Sequence, residues 1–435
     1  MKLGILGSLL LVGTANAAPL EWPQWRGPGG QGHGEANDLP RQFDAETHVA
    51  WHCPIPGRGW SSPVLAGDRI WVTTAHEVEA TEAEVEDRLK DNTGVGKLTV
   101  RAEVKWHAVC VDRATGKLLH DVFLFNRKNP QWVHDLNSYA SPSPVTDGKR
   151  VVVHFGSYGT ACLDAQSGEV LWTNRENLVM HENGPGASPI LWNDRVLFSM
   201  DGSDKQWLLC LDLATGKEIW KVKRTGELRD NPQLRKTYTT PMVVELDGKE
   251  VLLSQGADWL YAYDPKDGNE LWKFSYGELG FSLSGHPVLV GERLVFSTGF
   301  MKPRLLAADL RADAPPQAAA WIAKRGVPTM GSPIAVDGLV YYVSDRIGML
   351  TCLDAKTGEE VYRQRLGGDF SSSPVYADGA LWVGNREGEV TVFEAGRTFQ
   401  ELGKGTLPGR LMATPVPAGD SLYVRTTEGL YRVKK

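Results

Sequence analysis

The sequence predicts an all-β protein: an eight-bladed β-propeller of four-stranded blades with tryptophan-docking motifs, closed by an N-terminal strand in the last blade. Three observations carry this. A small or polar pair followed by Pro and then apolar residues recurs eight times, with the prolines at 63, 144, 189, 241, 287, 333, 374 and 415. A turn motif, Asp-x-x-(Thr/Ser)-Gly-(Lys/Glu)-x-x-Trp, recurs in register with it. The last repeat stops one strand short, and a lone strand-like segment near the N-terminus can supply the missing piece.

After a first interval of 81 residues, the prolines are 41 to 52 residues apart. Four short strands and their turns need about 40–50 residues. One repeat shows the pattern. Ser332-Pro333 opens a strand, Asp337-Gly338 turns it, and Leu339–Val343 runs back with two tyrosines. Met349–Leu353 is the third strand, Asp354–Gly358 a turn, and Glu360–Arg365 the fourth. β-Branched and aromatic residues fill the strands, and Asp and Gly supply the turns.

The docking motif is plain at Asp164–Trp172 and Asp212–Trp220, and degenerate at Asp264–Trp272. Asp112–His120 and Asp354–Tyr362 change the ring, and Asp309–Trp321 carries an insertion. A flat ring on the outermost strand can lie between blades with its N–H on a backbone carbonyl. After Pro415 only three strands follow. Val49–Ile55 resembles a fourth strand without its three partners, with Trp51 as its ring. Pairing the two ends would remove free edges.

Residues 1–17 read as a signal peptide. Lys2 gives the positive start, Leu3–Val12 the short apolar run and Ala15-Asn16-Ala17 the cleavage site. That run is too short for a spanning helix, and no later run is long enough. No Cys follows it, so a lipid anchor is not expected, and the destination is periplasmic or secreted. Residues 18–44 then form an N-terminal extension, and residues 45–435 a single propeller. An acidic insertion at 77–103, helical around Glu82–Lys90, accounts for the long first interval, with a second long loop at Asn126–Asn137. The net charge of −6 becomes −7 once Lys2 is removed, which argues against a nucleic-acid partner. Of the five cysteines, Cys110, Cys162, Cys210 and Cys352 occupy one repeated position on separate blades. They are expected to be unpaired, buried and apolar in behaviour. Cys53 stands alone.

In a propeller, the loop entering each innermost strand and the loop between the second and third strands open on one face. Sites gather there because many loops converge. The entering loops carry Arg58, Trp60, Asn137, Tyr139, His181, Glu182, Asn183, Lys236, Tyr238 and His286. The opposite turns add Tyr158, Asp201, Asp204, Asp258, Trp259, Lys302, Arg304, Asp345, Arg346 and Arg386. These groups suit a polar or anionic small molecule, or a glycan stacked on Trp60 and Trp259. The competing reading is that they cap strands and hold channel water. His134, His181 and His286 come from different blades without a ligand spacing, and no metal set is expected.

The docking repeats over residues 45–435 resemble the pyrroloquinoline-quinone-type (quinoprotein) propeller family. Its dehydrogenases hold the quinone over a Trp floor, with calcium on a Glu and an Asn and an Asp as base. The resemblance would make Glu182-Asn183 the calcium pair and Asp258 or Asp345 the base. The sequence lacks the adjacent cysteines often found there and a C-x-x-C-H haem motif. The repeats are also similar to the propeller lipoprotein of the outer-membrane β-barrel assembly machinery, which binds proteins. Trp22–Pro28, Gly57–Pro63 and Leu136–Gly159 resemble a group of exported bacterial propellers of unassigned role. The expectation is therefore a monomeric extracytoplasmic binding or scaffold propeller with no cofactor, its partner a polar small molecule, a glycan or an exported protein. The alternatives are a pyrroloquinoline-quinone-dependent alcohol or sugar dehydrogenase, with Ca²⁺, and a carbohydrate-active enzyme.

Overall fold

A computed structural model of the chain describes residues 21–90, 92, 96–278 and 280–435; the segment 1–17, read above as a signal peptide, lies outside them. Eight four-stranded antiparallel sheets are arranged as an eight-bladed propeller. Seven of them run from an innermost to an outermost strand in chain order. Blade 1, for example, comprises Val64–Ala66, Arg69–Glu79, Arg101–Asp112 and Leu118–Lys128. Blade 8 takes Val416–Ala418, Ser421–Thr426 and Gly429–Val433 from the C-terminus and Val49–Cys53 from the N-terminus. Trp51 faces Arg432, and Cys53 faces Leu430, in that closing pair.

The docking motif joins most blades to the next. The indole N–H groups of Trp51, Trp172, Trp220 and Trp321 donate to Arg113 O (3.2 Å), Leu213 O (2.9 Å), Pro265 O (3.3 Å) and Ala355 O (3.0 Å). His120 takes the role in blade 1, its Nε2 lying 3.0 Å from Gln166 O. The motif glycine serves the neighbour's ring. Gly358 has φ +74°, and a Cβ on it would stand 2.6 Å from the Trp321 ring. Positive φ and a ring lying flat on the backbone both require Gly. The motif Asp fixes the turn: Asp212 Oδ1 accepts from Thr215 N and Oγ1 at 2.8 and 2.6 Å.

A second belt lies at the channel. The residue before each repeat proline is Ser62, Ser143, Ser188, Thr240, His286, Ser332, Ser373 or Thr414. The backbone N–H of this residue donates to the hydroxyl of its counterpart one blade on, at 2.9–3.1 Å, in seven steps around the ring. The gap falls at His286, which has no hydroxyl; its Nδ1 lies 3.2 Å from Thr240 O.

The extension ahead of the closing strand is part of the core. Trp22 is fully buried, and its carbonyl accepts from Leu65 N at 2.9 Å. Pro23 O accepts from Thr146 N, Gly32 O from Tyr376 N and Gly419 O from Asn37 N, all at 2.8–2.9 Å. These bonds occupy free backbone groups of the innermost strands, so residues 22–37 plug the channel. Arg26 is wholly buried and donates to Gly30, Gln31, Pro333 and Pro374 carbonyls at 2.8–3.3 Å. Beyond the plug, the chain passes under blade 7, whose fourth strand carries no ring. There Phe43 forms a parallel bridge to Gly405, and its ring occupies the space a Cβ on Gly405 would need.

The 77–103 insertion is more ordered than a loop. Its ends lengthen the second and third strands of blade 1 into an antiparallel ribbon, with Glu77 opposite Val104. The helix Glu82–Leu89 carries a Thr81/Glu84 capping box. Within the 126–137 loop, Val133–His134 pairs with Leu98–Thr99. All five cysteines are free and buried, and burial raises the Cys110, Cys162, Cys210 and Cys352 thiols to about 12. No helix among the described residues is long and apolar enough to cross a membrane.

Candidate functional site: a blind cup at the channel mouth

With the plug in one end, the channel becomes a cup of about 510 Å³ opening on the face of the entering loops. Trp25, from the plug, lines it beside the belt residues Ser62, Ser143, Ser188 and Thr414. The Trp25 ring meets His286 edge-on, with centroids 5.6 Å apart. Higher up, Trp60, Trp132, Phe281 and Phe300 supply aromatic surface, and Met301, Met330 and Met412 flexible apolar surface. Asn137, Glu182, Asn183, Asn231, Gln233 and Lys236 supply the polarity. A volume of this order with few polar groups among aromatic faces is that of a small-molecule pocket.

Six of the twenty candidate loop and turn residues read from the sequence line this cup: Trp60, Asn137, Glu182, Asn183, Lys236 and Tyr238. Asn137 is a brace, its Nδ2 donating to Asn183 O (2.7 Å) and Pro185 O (3.1 Å) across two blades. Tyr238 Oη donates to His181 O at 2.7 Å. Glu182 has φ +67°, and its carboxylate accepts from Ser203 Oγ at 2.8 Å. Arg58 stands behind the wall, 5.1 Å from the Trp60 centroid in a cation–π contact. The Trp60 indole nitrogen is buried without a hydrogen-bond partner. Lys236, almost fully buried, donates to Gln233 O at 3.0 Å, and burial lowers its ammonium to about 8.

The remaining candidates are not on the cup wall, for identifiable reasons. Tyr139 is fully buried in the blade 1–2 core beside Trp106 and donates to Gln131 O at 2.8 Å. His181 is buried, its Nε2 accepting from Ser157 N at 2.9 Å. His286 lies beneath Trp25 in the belt. Asp258 is paired with Arg229 at 2.6 and 3.0 Å. Trp259 caps its own blade by donating to Glu227 O at 3.2 Å. Asp345 accepts from Thr329 N, Thr329 Oγ1 and Met330 N at 2.6–3.1 Å, and Arg346 is exposed. The entering loops thus build the wall, while most turns between second and third strands hold their own blades. His134 lines the cup, but His134, His181 and His286 do not converge on a shared point.

These positions bear on the quinone and calcium that the resemblance implies. Asp258 and Asp345, the candidate bases, do not line the cup: Asp258 is paired with Arg229, and Asp345 is taken up from behind the wall by Thr329 and Met330. Glu182 is bonded to Ser203, and Lys236 is the one Lys or Arg lining the cup among the described residues. A tricarboxylate quinone with its metal needs more charge compensation than this wall supplies. The residues do not fit that pair, and no step through it follows.

Trp25, Trp132, Phe281, Phe300, Met301 and Met330 were not singled out as candidates. Trp25 lies in the Trp22–Pro28 segment and Trp132 in the long 126–137 loop, so both had a sequence signal. The others sit in ordinary-looking loops.

Docked four-stranded blades with a loop-lined cup define a propeller of the pyrroloquinoline-quinone-like class. A family model described as outer membrane protein assembly factor BamB matches residues 161–312 and 309–433. That is more than half of the chain, and the protein belongs to this family. A curated relative, outer membrane protein assembly factor BamB of Xanthomonas campestris pv. campestris, is 24% identical over 373 residues, covering 84% of this chain and 83% of the relative. The crystal structure of BamB from Moraxella catarrhalis is 15% identical with a TM-score of 0.53, covering 75% of this chain and 92% of that one. A europium-containing methanol dehydrogenase is 12% identical with a TM-score of 0.64, covering 94% and 90%. These two likenesses show the shared fold.

Proposed function

We propose that this chain is an extracytoplasmic binding propeller whose cup takes a polar, ring-bearing small molecule of the glycan class. The observation that carries the reading is that two indoles, Trp25 and Trp60, line one cup with the side-chain amides of Asn183, Asn231 and Gln233. The surrounding aromatic faces offer stacking surface, and the amides of Asn183, Asn231 and Gln233 suit hydroxyls better than strong charge. The extracytoplasmic location rests on the leader-like residues 2–17 and on the family.

A panel of neutral and acidic oligosaccharides, with pyrroloquinoline quinone plus Ca²⁺ as a separate arm, tests the reading by calorimetry. Saturable binding of an oligosaccharide, weakened at least tenfold by Trp60→Ala, is the expected result. Quinone binding with dye-linked alcohol oxidation would instead favour the dehydrogenase reading.

A second reading has its own support. Leu178, Met180, Phe300 and Met301 are large apolar side chains exposed among the loops of this face, and family membership favours a protein partner. Replacing Leu178 and Met180, which are exposed but do not line the cup, with Ser would weaken a protein complex while leaving the Trp60-dependent oligosaccharide affinity within about twofold.

A further inference from the structure

We propose that His76, His107 and Asp121 form a binding site for a first-row divalent transition-metal ion of the zinc type on the projecting ribbon of blade 1. This is independent of the cup reading. One ligand atom from each of the three lies within 4.8 Å of the other two, and they are the one such group of His, Cys, Asp and Glu among the described residues.

Strand register brings them together. In the ribbon, His76 is opposite Lys105 and Thr74 opposite His107. On the other side of the third strand, His107 faces Phe123 and Val109 faces Asp121. Alternation then places His76, His107 and Asp121 on one face of three adjacent strands. Linear sequence separates them by 31 and 14 residues, which is why no motif advertises them.

The chemistry matches an ion of this kind. Imidazole and carboxylate are the donor set that zinc accepts, at about 2.0–2.2 Å each. The His76 and His107 rings are 4.4 Å apart. His107 Nδ1 lies 2.7 Å from Asp121 Oδ1, so two of the three donors already meet. The second observation is that His76 Nε2 is buried with no hydrogen-bond partner. The His107 and Asp121 side chains remain partly exposed, giving the ion a path in. Three protein donors leave a position for water or for a group from a partner.

The test uses the untagged full chain, stripped with chelator and titrated with Zn²⁺ by calorimetry and with Co²⁺ by visible absorption. One equivalent is expected to bind, with affinity falling at least tenfold in His76→Ala and in His107→Ala and measurably in Asp121→Asn. His48→Gln, an exposed histidine elsewhere, should bind as the parent chain does. Circular dichroism of each variant separates a lost ligand from a lost fold. The Co²⁺ spectrum should show imidazole-ligated, low-coordinate bands that vanish with either His variant. No saturable uptake by the parent chain, or affinity unchanged in both His variants, overturns the proposal.

Discussion

At the scale of single residues, the buried histidines set the pH response. Burial holds His154 and His286 at about 3 and His181 at about 4. In the unfolded chain each takes up a proton as pH falls through about 6.5. Between these limits the unfolded state binds more protons, so stability rises with pH across roughly 4 to 6.5 and is complete above 7. Each histidine contributes up to about 1.4 kcal/mol per pH unit in that window. His286→Ser should remove one such share from the slope and supply the hydroxyl its belt position lacks. Urea unfolding at several pH values checks it, and an unchanged slope would mean that His286 is not held neutral. The docking glycines give a second prediction. Gly358→Ala meets both a positive φ and the Trp321 ring, and should cost at least about 2 kcal/mol, read as a lower urea midpoint.

At the scale of elements, the docking strands were legible because their signal is chemical and repeated. Asp-x-x-Thr-Gly fixes a turn, and the ring eight residues after the Asp marks the strand that packs on the next blade. Val49–Cys53 was legible for the same reason, since Trp51 stood without its blade. Trp51→Ala removes a docking ring and its bond to Arg113 O from the one strand that ties the two ends together. It should lower stability by about 3–5 kcal/mol, and more sharply expose residues 49–53 to amide hydrogen exchange than Trp220→Ala does. The ribbon of blade 1 was legible only in part. Its acidic, polar sequence gave the helix, but the lengthened strands pair through register, which composition does not reveal.

At the scale of the molecule, the ring and its closure could be read from the sequence, but the cup could not. The channel is blind because residues 22–37 fill it, and nothing in an irregular Gly- and Pro-rich segment says which backbone groups it will meet. Six candidates reached the wall because entering loops must converge there. Asp258, Trp259 and Asp345 did not, because each found a partner in or beside its own blade. Arg26 makes the plug testable. Arg26→Ala leaves several buried carbonyls without a donor and should cost at least about 3 kcal/mol, measured by urea unfolding. A cost below about 1 kcal/mol would show that the plug is not part of the cooperative fold.

The central claim is that this blind cup is the binding site, with Trp25 and Trp60 as its working surfaces. The direct measurement is the affinity of the oligosaccharide selected from the panel for the parent chain and for three variants. Trp25→Ala and Trp60→Ala should each weaken binding at least tenfold, whereas Trp259→Ala, at the start of a strand outside the wall, should leave it within about twofold. Affinity that falls with Trp259→Ala and survives loss of both Trp25 and Trp60 would contradict the account.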